Sequence, residues 1–204
     1  MKITLNFLKK KKACENGIRK FKALKNKDTQ SVFNYLKKRR KFEWANWVIL
    51  RLMTRQQCTK YAIYAAEQVI SIYEKSHPKD KRPRKAIQTA SKVLKNDTPI
   101  NRKLAYGAAR AAYSAADTCS AAYCPAYAPA YSAATAYHAA YAAVGSVVVC
   151  VSYYESAYAA VEAAANAAYA YAANAKAAYD ARIIMQIEIL NYGLKLLNIK
   201  HEIN

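Results

Sequence analysis

Apolar residues recur at helical spacing wherever the chain is periodic. Cys14, Ile18, Phe21 and Leu24 stand at i, i+4, i+7 and i+10, with Lys and Arg filling the opposite face, which predicts a first amphipathic helix. Asp28 or Thr29 can cap a second, which buries Val32 and Leu36 and ends in KKRRK. Trp44, Trp47, Val48 and Leu52 continue the pattern in a third. Thr54 can cap a fourth, in which Cys58, Tyr61, Ala62, Ala65, Val69 and Tyr73 align before HPKDKRPRK interrupts the run. Pro83 then stands where a first-turn proline belongs, ahead of Ala86, Ile87, Ala90, Val93 and Leu94. Asp97-Thr98-Pro99 repeats that logic.

Beyond this point the pattern changes to alanine and tyrosine. Alanine loses no side-chain rotamer freedom in a helix, so residues 100–123 and 152–181 are predicted helical almost regardless of context. A methyl group buries little area, however, and 13 of the 18 tyrosines fall between Tyr106 and Tyr179, where each ring brings ~150–250 Å² and a hydroxyl at its rim. The expectation is a closely packed array in which Ala faces approach and Tyr rings fill the gaps. Pro125 and Pro129 should divide this array, Gly145-Ser146 marks a further turn, and VVVCV at 147–151 reads as buried helix rather than strand. The last segment, RIIMQIEILNYGLKLLNIK, sets Ile183, Ile187, Leu190, Leu194 and Leu197 on one face that should close the core. The fold class is therefore all-α: one domain over 1–204, a compact array of antiparallel helices with an Ala/Tyr-rich half from residue 104.

Charge divides the chain at the same place. Residues 1–103 carry 28 Lys and Arg against 7 Asp and Glu, whereas 104–204 carry 5 against 6, which together give the net +20. Such a basic half points to an acidic partner: a protein, a nucleic acid or a nucleotide. Two clusters concentrate it. Lys37, Lys38, Arg39, Arg40 and Lys41 lead into the aromatic Trp44 and Trp47, which can stack or serve as core. Lys81, Arg82, Arg84 and Lys85 surround Pro83 at a helix start, where guanidinium forks and backbone N–H groups suit an anion, and this is the preferred anion site.

Nothing in the sequence suggests catalysis or a cofactor. His77, His138 and His201 have no second ligand at metal-site spacing, and Cys119 and Cys124 lack the paired second set that a structural zinc site needs. The five cysteines read as reduced thiols. Phosphate-cradling glycine loops and nucleophile elbows are missing, and Glu43, Glu67 and Glu74 read as solvated ion pairs beside Lys or Arg. The N-terminal MKITLNFLKKKK has six residues between Lys2 and Lys9, too few for a signal or spanning segment, so the expected location is the cytoplasm, with no membrane partner.

ACENGIRKFKAL at 13–24, EWANWVILRLM at 43–53, KYAIYAAEQVISIYEK at 60–75, RPRKAIQTASKVL at 82–94, the alanine-rich middle and ILNYGLKLL at 189–197 together resemble an alanine-rich family of immunity proteins, immunity-protein-five-like, found in bacteria, phages and prophages. That resemblance implies a protective binding protein with no active site of its own. The reading is a non-enzymatic protein that neutralises an acidic toxin or defence protein, as an immunity or phage counter-defence inhibitor. Its alternatives are direct nucleic-acid binding by the basic half, or sequestration of a small anionic nucleotide between Ala/Tyr helices.

Overall fold

In a computed structural model of the protein, residues 2–120, 153–171 and 175–199 are described, with Ala139, Ala142 and Ala143. Among the described residues every regular element is an α-helix, as the periodicity predicts. They are α1 (Leu5–Lys10), α2 (Glu15–Lys22), α3 (Thr29–Lys38), α4 (Phe42–Leu52), α5 (Arg55–Ser76), α6 (Arg82–Lys95), α7 (Pro99–Ser120), α8 (Tyr153–Tyr171) and α9 (Ala175–Leu196). Pro125, Pro129, Gly145-Ser146, VVVCV, Cys124, Cys150, His138 and His201 lie outside the described residues.

Short polar residues start the helices where the sequence places them. Asp28 accepts from Ser31 N at 2.9 Å, and Thr98 accepts from Asn101 N at 3.1 Å ahead of Pro99. Thr54 forms a full capping box, its hydroxyl accepting from Gln57 N while the Gln57 side chain accepts from Thr54 N. Two N-terminal details differ from the sequence reading. Leu5–Lys10 forms a separate short helix capped by Thr4, and Cys14 is exposed as the cap of α2, its sulfur accepting from Gly17 N, rather than part of a buried stripe.

Three helices end in the same way without glycine. Lys12, Arg40 and Asn198 take φ of 57°, 53° and 55°, the left-handed region. In each case the next residue's N–H reaches back five residues, as Ala13 N to Leu8 O and Lys41 N to Leu36 O at 2.9 Å and Ile199 N to Leu194 O at 3.0 Å do. These are Schellman endings, with a Cβ-bearing residue at the position that glycine occupies most cheaply.

The core gathers on α5, whose Cys58, Tyr61, Ala62, Ala65, Val69 and Tyr73 are all buried. Desolvation pushes the Cys58 thiol up to about 12, so it is a packed thiol rather than a nucleophile. Helix α5 packs on α8, α6 and α9; α6 carries α7; and α4 contacts α3, α8 and α9. Helices α5 and α8 pack together, and both bury small side chains: Ala62, Ala65 and Ala66 on α5, and Ala157, Ala160, Val161 and Ala164 on α8. Small residues there allow close approach, as the sequence implies. Among the described side chains of the Ala/Tyr half, Tyr106, Tyr169 and Tyr179 are exposed and Tyr154 and Tyr158 partly covered, while Tyr61 and Tyr73 of the basic half are buried; the side chains of the remaining tyrosines between Tyr106 and Tyr179 lie outside the described residues. Closure by α9 is confirmed with a shifted face: Gln186, Ile189, Leu190, Gly193 and Leu194 are buried, flanked by half-buried Ile183, Ile187 and Leu197.

Candidate partner-binding site

The anion cluster at the start of α6 is held by carboxylates of its own chain. Arg82 grips Asp80 with Nε at 2.9 Å and Nη2 at 2.7 Å, and Tyr73 donates its hydroxyl to the same carboxylate at 2.7 Å. Those bonds, the Arg82 fork foremost, hold Asp80 well below the usual carboxylate range. Arg84 reaches across to Glu74 of α5 with Nε at 2.8 Å and a second bond from Nη2, which lowers the Glu74 carboxyl. Both forks therefore staple the α5–α6 connection, and Glu74 takes the ion-pair role assigned to it in the sequence. Lys81 and Lys85 are exposed beside them. A charge-reversing change at Arg84 would thus set two carboxylates side by side, so the cluster cannot be altered there without cost to the fold.

The basic run after α3 is arranged differently. The left-handed turn at Arg40 carries its guanidinium to α9, where Nη1 donates to the Tyr179 hydroxyl at 3.3 Å and the cation lies 5.5 Å from the ring centroid. Lys37 donates to Asn191 of the same helix at 3.4 Å. Lys41 sits 6.0 Å from the Trp44 ring, while Lys38 and Arg39 are exposed. Arg51, not singled out from the sequence, lies 5.1 Å from the Trp47 ring and 4.7 Å from that of Tyr154. Each cation–π contact is worth ~0.5–1 kcal/mol at an exposed site. Part of the basic half thus rests on aromatic rings of the second half, a pairing that sequence spacing cannot reveal because the partners are more than a hundred residues apart.

Trp44 and Trp47 are both half-buried, and both line an open cleft of about 360 Å³. The α1–α2 hairpin forms one wall through Ile3, Leu8 and Phe21; α3 supplies Val32, Tyr35 and Leu36; α4 adds Val48, and Tyr158 of α8 completes it. Lys12, Lys20 and Glu43 are the charged side chains of the lining. The cleft was not legible in the sequence, which offered only the two indoles. Behind Tyr158 lies Glu162, whose carboxyl burial pushes up, helped by Glu43 and opposed by Arg182. Arg182 Nη2 donates to it at 3.4 Å. Burial together with Glu162 and Glu43 lifts the Tyr158 hydroxyl to about 12, so it stays protonated.

Among the described residues no three His, Cys, Asp or Glu side chains gather as metal ligands would, and no helix is long and apolar enough to cross a membrane. Among the described residues the surface of this all-α protein combines exposed cations with an aromatic-walled cleft. The chain belongs to the family described as "Imm-5 like putative immunity protein", which it matches over residues 49–193. The match takes in the fourth helix of the sequence reading, the RPRKAI block and the start of NYGLKLL, whereas the hairpin and ACENGIRKFKAL lie ahead of it. No curated protein and no solved structure matches the chain.

Proposed function

We propose that the protein binds an acidic partner stoichiometrically and neutralises it, as an immunity or phage counter-defence protein in the cytoplasm, without chemistry of its own. Family membership carries this reading. The charge distribution supports it: 28 cations against 7 carboxylates in the first 103 residues form a field that speeds encounter with an acidic surface. Lys38, Arg39, Lys81 and Lys85, all exposed, are the contacts assigned to the partner. Arg82, Arg84, Arg40 and Lys41 contribute charge from positions that intramolecular contacts fix. Immobilised protein exposed to host lysate, with and without nuclease, tests this. The expected result is retention of an acidic protein that nuclease treatment leaves bound and salt releases. Retention of nucleic acid alone, with affinity falling by about one log unit per log unit of salt for each phosphate contact, would replace it with the nucleic-acid reading.

A further inference from the structure

We propose that the cleft between the α1–α2 hairpin and α3–α4 is a small-molecule site for a planar aromatic anion, a body of about two rings bearing a sulfonate, carboxylate or phosphate group. This goes beyond the neutralising role and does not depend on it. The cleft lies almost wholly ahead of the family-matched stretch, Tyr158 being the lining residue within it.

Size is the first argument. The cleft is open to solvent and holds about 360 Å³, within the range of sites that take small molecules. A dry apolar cavity of ~150 Å³ holds one benzene ring, so this volume suits about two, toward the lower end of ligand sites generally. The second argument is the wall. Trp44, Trp47, Tyr35 and Tyr158 offer flat aromatic surface, and the remaining lining is mainly aliphatic.

Charge supplies the third argument. Residues 2–27, which build the hairpin and its exit, carry ten Lys and Arg against Glu15 alone, and Lys12 and Lys20 line the cleft itself. Lys12 is brought to the cleft by the left-handed turn that ends α1, the same ending that Arg40 and Asn198 give α3 and α9. Glu43 is the one carboxylate of the lining and disfavours a dianion placed deep, so the anionic group belongs at the Lys12–Lys20 side.

Both tryptophans of the chain line the cleft, so its occupancy is read directly as a change in intrinsic fluorescence. The full-length protein is titrated with anilinonaphthalene sulfonate and with its uncharged parent, N-phenylnaphthylamine. The expected result is saturable one-to-one binding of both with quenching of tryptophan emission. The sulfonate should bind about 3- to 10-fold tighter, the scale of one to two solvent-screened charge contacts. Gly17→Phe places a ring in the opening, since a Cβ there meets only Cys14 Sγ at 3.4 Å, and should abolish binding without lowering the unfolding midpoint. Lys12→Gly should raise that midpoint while removing much of the preference for the sulfonate, leaving the neutral probe unaffected. Should Gly17→Phe fail to fold, Trp44→Leu takes its place, with binding reduced at least 10-fold. Equal affinity for the two probes, or full dye binding by the blocked variant, overturns the proposal.

Discussion

Replacing Gly193 by alanine tests the packing at the centre of the molecule. On an open helix the change stabilises by ~1 kcal/mol through propensity alone. Here the added Cβ meets Ile49 Cδ1 and Tyr61 Cε2 at 2.7 Å, with Tyr61 Cδ2 at 3.1 Å. The Ile49 methyl is the end of a flexible chain and can turn away. Tyr61 cannot: it is fully buried, and its hydroxyl donates at 2.7 Å to Asn46, itself buried. Moving the ring strains or breaks that bond, so the cost belongs near the upper part of the ~1–3 kcal/mol typical of overpacking. The propensity gain offsets part of it, which leaves a net loss of about 1–2 kcal/mol, or a fall in Tm of ~2–8 °C for a chain of this length. Urea unfolding followed by tryptophan fluorescence measures it, with the slope against urea unchanged. Ile49→Val, which removes the Cδ1 methyl, should recover part of the loss in the double variant. A Gly193→Ala protein as stable as the parent, or more so, refutes the claim that α9 closes on α5 through this glycine.

Two further outcomes concern pH. Glu162 has a folded pKa raised by burial, so it favours the fold when protonated and costs stability as pH rises through that value; Glu162→Gln should therefore be more stable than the parent at pH 7, with the difference vanishing toward pH 4 in denaturation curves. Asp80 is the opposite case, its folded pKa held low by Arg82 and Tyr73, so its contribution is present above the unfolded value of ~3.9 and lost on further acidification. Asp80→Asn should cost about 1–2 kcal/mol at pH 7, Arg82 being partly solvent-exposed, and the penalty should shrink as pH falls below 4; a penalty that does not change with pH would mean that the staple is not ionic.

Much of the fold was legible because it is local. The caps at Asp28, Thr54 and Thr98, the first-turn Pro83 and the buried stripe from Cys58 to Tyr73 need only neighbouring residues to act, and they stand where the pattern put them. Errors arose where distant contacts decide. The buried face of α9 centres on Gly193 because Tyr61 lies opposite, a fact outside its own sequence. The candidate site was half legible. Basic clusters are visible as charge, but which cations the fold holds for itself depends on Asp80, Glu74 and Tyr179, which claim Arg82, Arg84 and Arg40. A cleft formed by five helices leaves no signature in any one of them.

The central claim is that the protein acts by binding an acidic partner through exposed cations of its N-terminal half. It is tested most directly by measuring association of the captured partner with the parent and with the Lys38→Glu, Arg39→Glu, Lys85→Glu triple variant, whose changes leave the Arg82 and Arg84 staples intact. The helical signal and unfolding midpoint of the variant should match the parent's, because exposed charges of this kind contribute ~0–1 kcal/mol each. The account expects an on-rate at least 10-fold lower for the variant at low ionic strength and a weaker dependence on salt. An unchanged on-rate in a folded variant would contradict it and leave the basic surface as a solubilising one.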